Sequence, residues 1–499
     1  MEFLFEIELD LPTKGSRDAA RSLCRQLRSA ILDGRLIAGA KLPPTRQSAA
    51  FFSVSRNTAI EIYERLHQEG YVETRHGSGT FVADRMPALG ARPNASVDAV
   101  PDHRLNPFWL RDDVTQAMGF WRDRSPALGS GPATKHTPID FRPALVDSRL
   151  FPFDVFRRVS AKQLRGLERR PASFKSPQGN QGNFHLREAI SRHIALTRAV
   201  VCTPDDVLVS AGAQQAFDLL ARILVKRDET VVAIEDPGYP PMRVPFAAAG
   251  ARIVPVGVDD EGLIIEQLPS GVSVICVCPS HQFPLGVTMS ARRRKALIAF
   301  ARAHDAVIIE DDYDGEFRYG AGSLEALRTA VASDVVFYVG TFSKCMLPSL
   351  RLGFVVAPPW AMRTLIAAKN GLDWHCPTPI QLGVAAFITE GHLAHHVRKM
   401  RSIYQRRRNL LLHSLRETFS DWLTPIESNY GMHLAAIASA HRDLDPIADA
   451  LLLQGMKVHT LGRYHLGVPR RSGIVFGYGA VDMAQINRGL TLLCRTLRD

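Results

Sequence analysis

Five times between residues 207 and 344 the chain repeats one pattern: an apolar run of strand length stops at a cluster of small or polar residues, and an amphipathic stretch follows. The runs begin at Val207, Val231, Val274, Ala306 and Val335. Continuous apolar runs alternating with amphipathic helices are what a largely parallel sheet covered on both faces requires, so an α/β domain is expected from about residue 138 onward. Open sheets of this kind bind ligands at the carboxyl ends of their strands. Those ends are where this sequence keeps its reactive groups.

The last run ends at Gly340, followed by Thr341-Phe342-Ser343-Lys344 and, seven residues beyond the lysine, Arg351. A lysine at the end of a buried strand and near another cation favours the neutral amine, which forms a Schiff base with an aldehyde. Ser343 and Arg351 are then free to hold an anion, arginine being the planar fork that suits phosphate. Taken alone, such a lysine fits a solvated surface turn better; the other strand ends decide between the two. After the first run Gly212, Ala213 and Gln214 open a helix whose backbone N–H groups form an anion site. Tyr239 puts an aromatic ring after the second run, and Asp311 ends the fourth as a buried acid that is costly unless it faces a cation. A Schiff-base lysine, a carboxylate for a protonated ring nitrogen, an aromatic face and phosphate donors are together the set that pyridoxal 5′-phosphate needs.

At 499 residues the chain is too long for one ordinary core. Residues 14–83 have a different character. Apolar residues at helical spacing over 18–33 are interleaved with Arg17, Arg21, Arg25 and Arg28, a second short helix is expected over 45–52, and Ser55 caps a third that runs to Gly70. Arg56, Asn57 and Thr58 lie in its first turn, and residues 71–82 read as two short strands about a Gly-Ser-Gly tip. Two helices joined by a three- or four-residue turn, with a basic hairpin beside them, form a winged helix-turn-helix, whose second helix enters the DNA major groove. A formal net charge of +11 agrees with a polyanionic partner. Glu61, Glu64 and Arg65 read as a solvated helix face. Residues 84–137 are rich in proline and glycine and read as a mobile tether, with a short helix near 113–121. Two aromatic patches in it, 108–110 and 118–121, could dock on a partner surface.

The first segment resembles the winged-helix domain of GntR-type bacterial regulators in RSAILDGRL (28–36), LPPTR (42–46), VSRNT (54–58) and EGYVETRHGSGTFV (69–82). The rest resembles fold-type I aminotransferases, and more narrowly the MocR/GabR group in which such a winged helix is fused to an aminotransferase-like domain. That likeness runs through DFRPALVDSRLFP (140–152), LVSAGAQQAFDLL (208–220), EDPGYP (235–240), PSHQFPLGV (279–287), IIEDDYDGEFRY (308–319), GTFSK (340–344) and RLGF (351–354).

The resemblance implies that Arg46, Ser55, Arg56, Asn57, Thr58, His76 and Gly77 contact double-stranded promoter DNA. It implies that Lys344 carries pyridoxal 5′-phosphate as a Schiff base, that Asp311 pairs with the ring nitrogen and that Tyr239 stacks on the ring. Gln282 and Tyr313 would lie near the phenolic oxygen, and Gly212, Ala213, Gln214, Ser343 and Arg351 would surround the phosphate. It also implies a homodimer, each winged helix lying over the partner's cofactor domain, with RNA polymerase as a further partner. Within the second domain a large subdomain is expected over about 200–370 and a small one from 138–199 and 371–499.

Four departures from the family stand out, one in the DNA-binding turn and three that bear on the ligand. Ser53 stands in the turn where glycine is usual, Leu285 replaces a threonine, and 179–182 lacks the usual tyrosine. Pro241 stands where some members place a carboxylate-binding arginine, although Arg243, Arg470 and Arg471 are near. A simple α-amino acid effector is therefore disfavoured against an amine, a sulfonate or the cofactor itself. The expected function is a regulator that senses an amino compound through Lys344; the alternative is a working aminotransferase with an added DNA-binding domain.

No metal site is expected. His392 and His396 stand four apart on a helix without a third ligand, and the basic residues 398–408 read as a solvated helix face that could add a DNA contact. Seven scattered cysteines with no CxxC pair, no membrane-length apolar run and no basic leader point to a cytoplasmic protein with free thiols.

Overall fold

The computed structural model describes residues 9–10, 18–75, 77–83, 103–121, 138–169, 179–320, 325–439, 443–467 and 471–498. They divide into two compact units, Met1–Leu105 and Asn106–Asp499.

The first unit contains α1 (Ala19–Leu32), α2 (Thr45–Phe51), α3 (Arg56–Gln68) and the antiparallel pair β1 (Val72–Arg75) and β2 (Gly79–Val82). Leu23, Leu27 and Ile31 of α1 meet Phe52 and Ile62, Tyr63 and Leu66 of α3 in a small core. Tyr63 ties the turn down: its hydroxyl donates to Pro43 O at 2.8 Å and shares a 2.8 Å hydrogen bond with Ser48. The Ser55 hydroxyl accepts from Thr58 N at 3.1 Å, capping α3. Arg65 pairs with Glu61 at 2.8 Å across one exposed turn. Ser53 has φ of 55°, the left-handed backbone that its substitution for glycine implies.

The second unit opens with α4 (Asp112–Met118), so part of the segment that composition marks as a tether is folded onto the domain that follows it. Its helices and strands then run β3 (Ile139–Asp140), α5 (Phe153–Arg169), α6 (Phe184–Arg198), β4 (Val207–Ser210), α7 (Ala213–Leu224), β5 (Val231–Asp236), α8 (Pro240–Ala249), β6 (Arg252–Asp259), β7 (Gly262–Leu263), β8 (Val274–Val277), α9 (Ala291–Ala303), β9 (Val307–Asp312), β10 (Val336–Thr341) and β11 (Gly353–Val356). There follow α10 (Pro359–Asp373), α11 (Thr378–Thr389), α12 (His392–Thr418), β12 (Leu423–Pro425), β13 (His433–Ala438), α13 (Asp445–Leu453), β14 (Met456–Lys457), β15 (His459–Thr460), β16 (Gly473–Gly477) and α14 (Met483–Arg498).

The main sheet has the order β4-β11-β10-β9-β8-β5-β6-β7. β11 is antiparallel to both its neighbours and β7 to β6, whereas β10, β9, β8, β5 and β6 are mutually parallel. Alternate residues of β10 go to opposite faces, as a strand demands: Phe337 and Val339 join Leu220 of α7 and Phe246 of α8, and Tyr338 joins Ile190 of α6 and Val384 of α11. Through Leu186, Ile190 and Ile194, α6 shares a core with Val207 and Val209, so this helix packs on the large sheet although its sequence position groups it with the smaller subdomain. A four-stranded antiparallel sheet, β12-β13-β16-β15, forms the smaller layer, beside which β14 pairs in parallel with β3.

One expectation is corrected. Arg407 and Arg408 of α12 are buried: Arg407 donates to Gly479 O at 2.8 Å and pairs with Asp147 at 3.2 Å, and Arg408 donates to Ser428 O at 2.6 Å. Their forks satisfy carbonyls at loop ends, a role that charge spacing on a helix does not reveal.

Ser53→Gly relieves a left-handed serine at an exposed turn. Calorimetry of the full chain should show the transition of the first unit stabilised by about 1 kcal/mol. No change, or a loss, would mean that the turn tolerates serine without strain.

Candidate functional site

Four acids stand together at the carboxyl end of β9, and all are buried: Glu310, Asp311, Asp312 and Asp314. Three are satisfied. Glu310 accepts the backbone N–H groups of Leu327 and Arg328 at 2.9 and 3.1 Å; Asp312 pairs with Arg198 at 2.6 Å and accepts from the Tyr338 hydroxyl at 2.6 Å; Asp314 bonds His281 Nδ1 at 3.0 Å. Asp311 is different. Among the described residues its Oδ2 meets only the Cys278 thiol at 3.9 Å, and its Oδ1 is buried with no hydrogen-bond partner. Burial first, then Asp312 and Asp314, push its carboxyl up to about 8. A buried carboxyl oxygen without a partner is a place for a ligand donor, such as a protonated ring nitrogen.

Lys344 lies in the turn after β10, its amine donating to Ala144 O at 2.7 Å. Burial, helped by Arg351 and opposed by Asp314 and Asp311, lowers it from 10.5 to about 8. Beside it the chain builds an anion cradle. α7 begins at Gly212, whose φ of 82° suits glycine and where a Cβ would sit 3.2 Å from Arg351 Nη2. Arg351 is exposed, takes a left-handed backbone with φ of 46°, and donates to Ala211 O at 3.1 Å. Ser343 completes this corner, its backbone N–H donating to Thr341 Oγ1 at 3.2 Å. Ala213 and Gln214 form the first turn of α7, and the Gln214 amide donates to Pro241 O at 3.1 Å. Helix start and guanidinium meet at Gly212, and with Asp311 and Lys344 this donor set fits pyridoxal 5′-phosphate.

Tyr239 caps the start of α8, half-buried, with its hydroxyl accepting from Trp121 Nε1 at 3.2 Å. Gln282 acts on its surroundings: its amide nitrogen donates to Pro237 O at 2.7 Å and Phe283 O at 2.9 Å, and its oxygen accepts from Leu285 N at 3.1 Å. It ties two strand-end loops together and spends its hydrogen bonds there. The Tyr313 hydroxyl donates to His281 O at 3.0 Å and lies 2.9 Å from His281 Nδ1.

Sequence reading missed the layer behind Tyr313. His281, Asp314 and His433 bring ring nitrogens and a carboxylate within 4.8 Å of one another, and the two imidazole rings lie 4.5 Å apart. Burial drives Asp314 up and both histidines down, which favours the neutral form of each. The space is closed: a Cβ on Gly431 would sit 1.9 Å from His281 Cε1. These residues are up to 152 positions apart (281 to 433) on separate strands and loops, and only His281 and Asp314 fall inside the recognised motifs. Glu235 was passed over as well. It is buried, bonded to Cys278 N at 3.1 Å, and pushed up to about 8 by burial. By contrast His392 faces Glu390 at 3.4 Å while His396 is buried against Phe151, so the two do not converge.

In the first unit Arg46, Arg56, Asn57 and Gly77 are exposed, and Thr58 is half-buried with its hydroxyl 2.8 Å from that of Ser55. Ser55 and Thr58 thus serve the helix start, and Arg56 and Asn57 stand exposed in the first turn of α3. His76 lies outside the described residues.

Comparisons with known proteins match both units. Residues 19–82 fit the model "Bacterial regulatory proteins, gntR family" and residues 150–490 fit "Aminotransferase class I and II". The chain is 32% identical over 477 residues to the "Probable rhizopine catabolism regulatory protein MocR" of Rhizobium meliloti, covering 95% of this chain and 92% of that one. It is 30% identical to the "HTH-type pyridoxine biosynthesis transcriptional regulator PdxR" of Corynebacterium glutamicum, covering 92% of each. Among solved structures, the α-aminoadipate aminotransferase LysN of Thermus thermophilus, complexed with N-(5'-phosphopyridoxyl)-L-leucine, aligns with a TM-score of 0.64 at 25% identity, over 72% of this chain and 92% of that one.

The lowered Lys344 amine has a direct readout. In cofactor-free protein, reductive alkylation of Lys344 by a small aldehyde, followed by mass spectrometry, should rise with pH to half its maximum near pH 8 as the neutral amine forms. A midpoint near the ordinary 10.5 would show that the amine is solvated.

Proposed function

The chain belongs to the MocR group of GntR-type bacterial transcriptional regulators, with pyridoxal 5′-phosphate as the cofactor of its aminotransferase-like domain, and from that premise we propose that it senses a small amino compound at Lys344 and reports it through its hold on promoter DNA. The observation that carries this reading is the unpartnered Oδ1 of Asp311 beside a lysine of lowered basicity, in one chain with a DNA-reading helix.

When bound, the cofactor supplies an aldehyde that condenses reversibly with primary amines. Lys344 offers the neutral amine from near pH 8 upward, and Asp311 would hold the protonated ring nitrogen. Arg351, Ser343 and the N–H groups at Gly212, Ala213 and Gln214 would hold the phosphate, and Tyr239 would supply the aromatic face. Tyr313 is oriented by His281 and Gln282 sets the loops. An effector that favours one of two arrangements of the protein shifts DNA affinity by its difference in affinity for the two.

Arg46, Arg56, Asn57, Thr58, Ser55 and the wing around Gly77 make the DNA contacts. A homodimer presents two such helices to paired half-sites, and RNA polymerase is the further partner of a bound activator. Among the described residues no helix is long and apolar enough to cross a membrane. A DNA-binding role supports a cytoplasmic location.

The test joins a spectrum to a gel shift on the protein's own upstream DNA. Cofactor absorbance that Lys344→Ala abolishes, with DNA binding that responds to an added amine, is expected; catalytic keto-acid production without any DNA shift at low salt would instead make this an aminotransferase. Arg351→Ala should weaken cofactor retention about 10- to 100-fold, the value of a charge-assisted phosphate contact, measured by equilibrium dialysis. Arg56→Ala should lower DNA affinity and flatten its log–log salt slope by about 1 if Arg56 holds a phosphate. An unchanged slope would assign it to a base edge or to solvent.

A further inference from the structure

Residues 112–121 of the proline- and glycine-rich segment reach the Lys344 site. α4 rests on α8 through Val114 and Ala117 against Val244, and Arg243 donates to Asp113 O at 3.2 Å. Just beyond, Phe120 is 2% exposed, its ring meeting those of Tyr239, Phe283, His459 and Tyr464 at centroid distances of 5.9, 6.4, 5.2 and 5.4 Å. Trp121 donates its Nε1–H to the Tyr239 hydroxyl at 3.2 Å, and its carbonyl accepts from Arg142 Nη1 at 3.1 Å. Its indole sits against the reactive group itself: Lys344 Nζ lies 5.4 Å from the ring centroid.

The charges around this wall are engaged. Arg142 forks onto Asp140 at 2.6 Å through Nη2 and at 2.9 Å through Nε, Arg243 holds α4, and Arg463 lies over the Phe120 ring at 6.0 Å. An acid group on an incoming ligand would be desolvated against aromatic rings while the nearby guanidinium groups already serve the segment. An ammonium or a flat apolar substituent is welcome there, since indole attracts cations to its face and offers a large apolar surface.

Resting on the reading of Lys344 as the sensing amine, we propose that Trp121 and Phe120 are specificity-determining residues of the effector pocket, and that the compound they select is a primary amine with a flat or apolar substituent and no acid group. The indole over Lys344 Nζ is the surface along which such a substituent lies. Phe120, packed beneath, fixes the height of that surface.

The test titrates the full-length, cofactor-loaded protein with 2-phenylethylamine, ethylamine and β-alanine, following cofactor absorbance. Wild type should bind 2-phenylethylamine about 10-fold or more tighter than ethylamine and β-alanine, within the range that apolar pockets achieve. Trp121→Ala should cost about 10-fold for 2-phenylethylamine and under about 2-fold for ethylamine. Trp121→Leu, which keeps apolar bulk without the aromatic face, carries the same comparison should the alanine variant lose native circular dichroism. An unchanged preference in the variants, or an equal loss for all three ligands, overturns the assignment of the wall, and a wild type that prefers β-alanine overturns the effector class. Wild-type protein that shows no cofactor band or no response to any amine fails at the earlier step: it sinks the reading of Lys344, and this inference with it.

Discussion

Burying four carboxyl groups at the end of one strand is the constraint on which the second unit depends. Each must find a partner or remain protonated, because a buried unpaired charge costs several kcal/mol. The chain solves this acid by acid: Glu310 takes backbone N–H groups, Asp312 takes an arginine from α6 and a tyrosine from β10, and Asp314 takes a histidine from the loop after β8. Those bonds lock α6, β9, β10 and the β8 loop together. What they leave over is the functional remainder, a single carboxyl oxygen of Asp311 turned to the other face of the sheet. Stability and ligand recognition at this strand end therefore rest on the alternation of one strand.

The reversed strand β11 has a comparable effect on the phosphate side. Lying between β10 and β4, it spaces Lys344 from the start of α7, and Arg351, in the turn just before it, takes a left-handed conformation that carries its guanidinium back over Gly212. A non-glycine residue pays roughly 1 kcal/mol for that backbone. Ser53 in the DNA-binding unit sits in the same region of backbone space, with no comparable contact to explain it.

Much of this was legible in the sequence because the signals were local. Strand runs ending in Gly212, Tyr239, Asp311 and Lys344 can be read from their own neighbours, and so can the cap at Ser55 and the awkward Ser53. Contacts made across the fold could not. His433 reaches Pro284 from a different sheet, Arg407 reaches Gly479 from a helix whose charges look solvated, and Trp121 finds Tyr239 across 118 positions. Proline and glycine describe only the average of the segment over 84–137, whereas the short helix expected near 113–121 is present as α4 and Phe120 packs just beyond it. Gln282 lay in a recognised motif, yet its hydrogen bonds go to loop carbonyls that no motif displays.

The docking of α4 on α8 has a mechanical meaning. Traction arriving along the chain from its amino-terminal side meets α4 first, and the next fixed points are Phe120 and Trp121, the same residues that wall the Lys344 site. Anchor and pocket are in series on one load path. Whatever loosens the aromatic wall also loosens the anchorage of α4 on α8.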